Sequence, residues 1–379
     1  MVAQVALSLL LVSAAGLFAA HLSNLRNRNL GFRRDHILLA TLNPAGSGWT
    51  GERLSRAYRE LLDRFAAIPG VRSATLSGTT PINGAAASRF ASVDGRPAQP
   101  FEQRAFVNWV APRYFETFGT PLVAGRDFTF QDTSAARLAI VNRAMARYYF
   151  GDTDPLGRLV RLEREDKPFR IIGVVADAKY LDLREEAPRT IYLAAFQDAG
   201  VNSHRFALRT SGDPGAAAGE VRRMVDAVMR KVPVENVTLA AQMDASLVPE
   251  RLIAAVSEAF GTLGALLAAL GVYGLLAYTV ARRINEIGIR MALGATRGGV
   301  VRLVVADALG MVVAGLAIGV PLALWGRRFA RSVLDGLPLT DPLPLLLGAL
   351  AMLAAALAAA WLPARRAAGV DPMEALRYE

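Results

Sequence analysis

The sequence predicts an α-helical membrane protein with four transmembrane helices and one large α+β periplasmic domain, the latter a split βαβ subdomain with an inserted β-rich subdomain. Three observations predict it. Mean hydropathy is +0.29, which a uniformly soluble chain of 379 residues rarely reaches. The apolar residues are clustered, because side-chain charge is absent from 1–20, 259–280, 308–326 and 343–362. Each run has the roughly 20 residues that a helix needs to cross about 30 Å of hydrocarbon. Between the first two, residues 21–252 have the composition of an ordinary globular domain, with 29 Arg, 3 Lys and 25 acids.

The first run lacks the charged start of a signal peptide and is longer than the usual apolar core of one, so it is expected to be a retained anchor. No flanking charge precedes it, as in a piece cut from a longer chain. The connections set the orientation. Arg282, Arg283, Arg290, Arg297 and Arg302 lie between the second and third runs, and Arg365, Arg366 and Arg377 follow the fourth. Only Arg327, Arg328 and Arg331 lie between the third and fourth. Short basic loops stay inside, so segment 281–305 and the tail 363–379 are expected in the cytoplasm, with domain 21–252 in the periplasm against a bacterial inner membrane.

In the outer domain, 36–42 reads as a strand. Leu54, Tyr58, Leu61, Leu62 and Phe65 form one helix face, stopped by Pro69-Gly70, and a strand follows over 71–76. The same pattern returns at 205–209 (strand), Val221 to Met229 (helix) and 237–240 (strand). Neither unit can bury its helix alone, so the two are expected to share one α+β subdomain, about 35–89 with 203–245. The interval 90–200 is β-rich, with strands at 106–110, 139–141, 159–162, 169–175 and 190–193, a hairpin at EREDKP, and one short helix over 142–150. Gly78 to Ser88 reads as a mobile loop.

The chemistry is mostly exclusion. Lys167, Lys179 and Lys231 follow Asp166, Ala178 and Arg230, so no Gly-Lys-Ser/Thr phosphate loop is present. Cysteine is absent, and His21, His36 and His204 lack ligand spacing and read as surface or strand-end residues. No GxSxG elbow occurs, and Asp127 and Asp132 in GRDFTFQD read as turn and cap residues. The net charge of +10 is spread over both parts of the chain without interleaved aromatics, which argues against nucleic-acid binding. No enzymatic constellation, metal site or cofactor site is expected.

Small residues mark helix contacts in lipid, where apolar burial does not drive association. Gly315 with Gly319, Gly264 with Ala268 and Gly271, and Ala351 with Ala355 and Ala359 fall at such spacings. Asp307, near the start of the third run, reads as a solvated helix-face residue. None of the four runs carries a row of polar side chains, so a hydrophilic path through them is hard to build. Segment 281–305 has an ordered charged half and glycines at Gly288, Gly294, Gly298 and Gly299, which predicts a short helix, a break at Gly294-Ala295-Thr296, and a second helix entering the membrane. Pro363 is expected to end the fourth span, and Asp371-Pro372-Met373-Glu374 is a helix start with Asp at the N-cap.

NEIGIRMALGATRGGVVRLVV (285–305) and PARRAAGVDPMEALRYE (363–379) resemble the FtsX-like permease domain of MacB-type ABC transporters. YFETFGTPLVAGRDF (114–128), VNRAMARYYFG (141–151), DPLGRLVRL (154–162) and FRIIGVVADAKY (169–180) resemble that family's periplasmic core domain. The opening 2–18 and GFRRD (31–35) are similar to the second half of duplicated permeases of soil acidobacteria. The resemblance implies a mechanotransmission permease for export or efflux. In it a cytoplasmic ABC ATPase binds the ATP and presses on the loop between spans two and three, and spans one and two carry the movement outward. Carried over, Glu286, Ile287, Gly288, Arg290, Leu293 and Gly294 are the residues that couple to the ATPase. The implied partners are that ATPase, a second permease half (a second copy or a related chain), the lipid bilayer and a periplasmic adaptor. MacB-type proteins carry their own N-terminal ATPase, and duplicated permeases carry two permease units; neither feature is in this sequence. The alternative is a signalling subunit of the same design that activates a periplasmic enzyme such as a cell-wall hydrolase.

Overall fold

The computed structural model describes residues 1–84, 86–93, 104–132, 137–183, 186–197, 204–333 and 342–369. Along the chain run α1 (Val2–Asn27), β1 (Ile37–Leu42), α2 (Gly51–Ala66), β2 (Val71–Ser77), β3 (Ala87–Val93), β4 (Arg104–Val110), α3 (Tyr114–Phe118) and β5 (Leu122–Gly125). Next come β6 (Leu138–Asn142), α4 (Arg143–Phe150), β7 (Leu159–Leu162), β8 (Phe169–Val175), β9 (Thr190–Ala194), β10 (Arg205–Thr210), α5 (Ala218–Val228) and β11 (Val234–Thr238). The last are α6 (Leu239–Ser246), α7 (Val248–Arg282), α8 (Ile284–Ala292), α9 (Arg297–Val333) and α10 (Leu343–Ala368). They form two compact units, Arg28–Ser246, and Met1–Asn27 with Leu247–Glu379. The helix expected to start at Asp371 lies outside the described residues.

In the first unit, β11, β1, β10 and β2 form an antiparallel sheet in that order. The two strand-helix-strand units are therefore interleaved, with β10 between β1 and β2, and β1 between β10 and β11. The apolar face of α2 (Leu54, Tyr58, Leu61, Leu62, Phe65) and that of α5 (Val221, Val225) meet Leu38, Leu76, Phe206 and Leu208 of the sheet in one core. Phe206 stands edge-on to both Tyr58 and Phe65, with ring centroids 5.1 and 5.3 Å away, the geometry that aromatic quadrupoles favour.

The inserted part closes on itself. β4 pairs with β3, β3 with β7, β7 with β8, β8 with β6, β6 with β9, and β9 with β4 again, a ring of six strands. Closure removes free edges from these strands. Its interior is Val107, Ala139, Val141, Val160, Phe169, Ile171, Ile191 and Leu193, with Met145 and Tyr149 of α4 packed into the same core. Asn142 caps α4 by accepting from Met145 N, and Tyr149 Oη donates to Ala91 O. β5 pairs antiparallel with the second half of β8, past the residues that pair with β7. There Gly125 has φ +75°, and a Cβ on it would stand 2.1 Å from Ile172 O, so the Gly-Arg pair at 125–126 is fixed by backbone contact.

Two expectations for this unit are overturned. Leu239 and Ala240 belong to α6, because the strand ends where Thr238 Oγ1 takes Ala241 N and starts a helix. The segment from Gly78 is held rather than free: Asn108 exchanges hydrogen bonds with Thr79, Ile82 N donates to Tyr180 O, Gln242 reaches Pro81 O, and Ala87 and Ser88 already belong to β3. α3 and β5 were not anticipated. Asp127 and Asp132 are turn residues as expected, accepting from Phe128 N and Thr129 N respectively.

The second unit contains four helices long and apolar enough to cross a membrane: α1, α7, α9 up to Arg328, and α10. They outrun the uncharged runs, and α7 adds eleven residues before Ala259. α1 packs on α7, α9 and α10, and α10 packs on α7 and α9, so α1 and α10 lie between the other two. Pro363 sits inside α10, which continues to Ala368.

Candidate functional site

Helix contacts build the site's frame. A Cβ on Gly315 would fall 2.6 Å from Val5 Cβ, and one on Gly319 3.1 Å from Ala6 Cα, so α9 meets α1 almost backbone to backbone. On α7, a Cβ on Gly264 would lie 3.2 Å from Leu11 Cδ1 and one on Gly271 2.7 Å from Met1 Cε, while Ala268 between them is buried. Both small-residue rows thus face the same helix. Ser8 Oγ donates to Gly264 O (2.8 Å) and Gln4 Nε2 to Leu267 O (2.8 Å), polar ties that the apolar run of α1 concealed. The third row is displaced by one position. In α10 the buried residues include the row Gly348, Met352, Ala356, Ala360 and Ala364, whereas Ala351 is exposed and Ala355 and Ala359 are half-buried. His21, expected at the surface, is buried within α1.

α8 hangs on this frame by one face. Ile287 is 6% exposed and packs with Val272 and Leu276 of α7, Val300 and Val304 of α9, and Ala360 and Ala364 of α10. Gly288 beside it is buried as well. The opposite face is open. Glu286 and Arg290 form an exposed ion pair one turn apart (2.6 Å), Ile289 is half exposed, and Leu293 is 83% exposed.

The break after α8 has a local cause. Gly294 takes φ +97°, Gly294 N donates to Met291 O (3.1 Å) and Ala295 N to Arg290 O (3.0 Å), the paired bonds that close a helix with a left-handed glycine. Thr296 then starts α9, its Oγ1 accepting from Gly299 N. Arg283, the single residue between α7 and α8, pairs with Asp307 of α9 (3.7 Å), which gives that acid a partner. The structure therefore brings Glu286, Ile287, Gly288, Arg290, Leu293 and Gly294 onto one short helix and its cap. Arg283, Ile289 and Thr296 complete it. The motif Leu-Gly-Ala-Thr was signal enough for Thr296; for Arg283 and Asp307 no spacing pointed to the pair.

Among the described residues, no cluster of three or more His, Cys, Asp or Glu is placed to hold a metal ion. The buried polar side chains of the helical unit, among the described residues, are Ser8, Ser13 and His21.

Comparison with known proteins gives two family matches. The family described as MacB-like periplasmic core domain matches residues 1–228, and that described as FtsX-like permease C-terminal matches 258–372. The pyoverdine export ATP-binding/permease protein PvdT of Pseudomonas aeruginosa is 26% identical over 82% of this chain and 46% of its own length. The uncharacterized ABC transporter permease YknZ of Bacillus subtilis is 26% identical over 73% of this chain and 71% of its own length. The macrolide export ATP-binding/permease protein MacB 1/2 of Paracoccus denitrificans is 28% identical over 73% of this chain and 42% of its own. The chain thus spans about half the length of the two ATP-binding/permease relatives. The periplasmic region of MacB from Actinobacillus actinomycetemcomitans aligns with a TM-score of 0.40 at 15% identity, over 59% of this chain and 97% of that one. The extracellular domain of YknZ aligns with a TM-score of 0.36 at 17% identity, over 53% of this chain and 99% of that one. With the periplasmic core family matching well over half of the sequence and the permease family most of the rest, the chain belongs to the MacB/FtsX-like family of ABC transporter permeases.

Proposed function

We propose that this permease is a mechanotransmission subunit. A separate cytoplasmic ABC ATPase binds the open face of α8 and, on ATP binding, displaces it. α7 and α1 carry the displacement to the 28–246 domain, where it drives export or efflux. The observation that carries this reading is the two-faced seating of α8: Ile287 and Gly288 are fixed to α7, α9 and α10, while Glu286, Ile289, Arg290 and Leu293 face outward. A push on such an element cannot be absorbed locally, because packed interfaces rearrange as units. The scarcity of buried polar side chains in the helical unit supports motion over a pore as the output. The charge bias supports a cytoplasmic position for α8 and the C-terminus. ATP stays with the partner, and this chain contributes no catalytic group.

The relatives named for pyoverdine and macrolide export support cargo transport, and the proposal includes a periplasmic adaptor as a further partner. The test is co-purification from mild detergent with the host's ATPases, followed by hydrolysis assays on what remains bound. Replacing 285–295 by a Gly/Ser linker is expected to release the ATPase and abolish its stimulation. Retention of binding and stimulation by that variant would overturn the reading.

A further inference from the structure

At one end of the four-stranded sheet, β2 and β10 are out of step. Arg209 pairs with Ser73 but Thr210 pairs with Val71, so Arg72 is the extra residue of a bulge, next in sequence to the partner of Arg209. Arg209 Nε donates to Thr117 O (2.6 Å), and its Nη2 is buried with no hydrogen-bond partner among the described residues. Arg33 comes over the same spot. Its backbone N donates to Phe118 O, and its Cγ and Cδ lie 3.0 and 3.1 Å from the point where Gly119 would carry a Cβ. Arg209 Nη2 is 3.5 Å from that point, so the missing side chain of Gly119 is the notch in which Arg33 and Arg209 converge.

The neighbouring acids are already engaged. Glu116 is paired with Arg113 (2.9 Å), Asp35 lies 3.8 Å from Arg34, and Asp127 accepts from the backbone of Arg113 and Phe128. Arg33, Arg72 and Arg209 have no ion pair among the described residues. Burial, and then the charges of Arg33 and Arg72, hold the Arg209 pKa below its ordinary value, with Asp35 and Glu116 offsetting part of this.

We propose that Arg33, Arg72 and Arg209 form a binding site for a phosphate-type oxyanion, closed over by the exposed Arg33 side chain. Arg33 and Arg209 converge on the Gly119 notch and Arg72 stands on the adjoining bulge, a set of guanidiniums that suits a tetrahedral oxyanion, which takes paired N–H donors and satisfies the orphaned Nη2. Arg33 follows Asn27, the last residue of the first apolar helix, by six positions, with Arg26 and Arg28 on either side of the helix end. The phosphodiester of an anionic lipid is therefore one source of the anion, and free phosphate is the other.

The test uses the full chain in neutral detergent. Its melting midpoint is followed while inorganic phosphate, or a short-chain phosphatidylglycerol, is titrated at constant ionic strength against chloride or a short-chain phosphatidylcholine. The site predicts a saturable rise in the midpoint and at least a tenfold loss of apparent affinity in R33Q/R72Q, whose exposed positions leave the fold intact. R33K/R72K, with charge but no fork, is expected to fall between the two. Response to phosphatidylglycerol alone identifies a lipid site, and response to phosphate a soluble-anion site. Equal responses in wild type and R33Q/R72Q, or a chloride response equal to that of phosphate, would overturn the proposal.

Discussion

A single methyl group separates two glycines of α9. At Gly315 it would press on Val5 within 2.6 Å, whereas at Gly310 it would meet nothing within 4 Å. Overpacking of a close helix contact costs about 1–3 kcal/mol, so Gly315→Ala is expected to lower the melting midpoint and Gly310→Ala to leave it unchanged. Equal effects would mean that the small-residue row does not set the α1–α9 distance. In the 28–246 unit the informative residue is Asp127. Burial pushes its carboxyl up to about 6 against the pull of two backbone N–H donors. A raised acid pKa means that the charged form is disfavoured in the folded state. Its stabilising contribution is complete below the unfolded value of 3.8 and is lost as pH rises through about 6. Asp132 works the other way but lower, since Arg126 holds it down to about 2. His204, whose pKa burial depresses, opposes Asp127 below 6.5. The difference in melting midpoint between wild type and Asp127→Asn is therefore expected to shrink or reverse between pH 4 and pH 7, and a constant difference would refute the assignment.

At the scale of elements, α8 separates holding from coupling within a few residues. Ile287→Ala removes an apolar side chain packed by three helices and is expected to cost roughly 2–4 kcal/mol by unfolding. Ile289→Ala, on the half-exposed face, is expected to leave stability unchanged and to weaken ATPase stimulation. If Ile289→Ala cost stability and Ile287→Ala weakened stimulation alone, the two faces would have been assigned backwards. Much of this element was readable beforehand, because its end depends on local chemistry: a left-handed glycine followed by a capping threonine. The same holds for α2, α4 and α5, whose apolar spacing or cap residue lies within one segment. What local spacing could not reveal was partnership. The six-stranded ring requires β4 to lie parallel to β9 some eighty residues later, and β3 was concealed because Ala87 and Ser88 extend a glycine- and alanine-rich stretch. α3 is preceded at its N-cap by Arg113 with φ +66° and no side-chain cap, so it has no start signal to find. In α10, alanine is so frequent that every face looked small, and only the packing showed that the row begins one residue later.

At the scale of the whole molecule, the main unanswered surface is on α7. Ile253, Val256, Phe260, Leu263, Leu267 and Leu270 follow one another at alternating intervals of three and four, and each is about half exposed or more. That spacing averages 3.5 residues and fits the seam of a helix pair, set within a wider exposed face that also holds Leu252 and Leu266. Length supports the same conclusion. A helix of 35 residues reaches about 52 Å against about 30 Å of hydrocarbon, and with 259–280 spanning it, Ile253 and Val256 stand beyond the reach of lipid tails. A second copy of the chain is predicted to cover them. The chain has no cysteine, so introduced thiols report without background. Leu263→Cys and Leu270→Cys, oxidised in native membranes, are expected to give disulfide-linked dimers in high yield, because seam residues face their counterparts in a parallel pair. Ile318→Cys on α9, similarly exposed at 55%, is expected to stay monomeric. Crosslinking at Ile318 in preference to the α7 positions would move the interface to α9, and α7 would then transmit force alone.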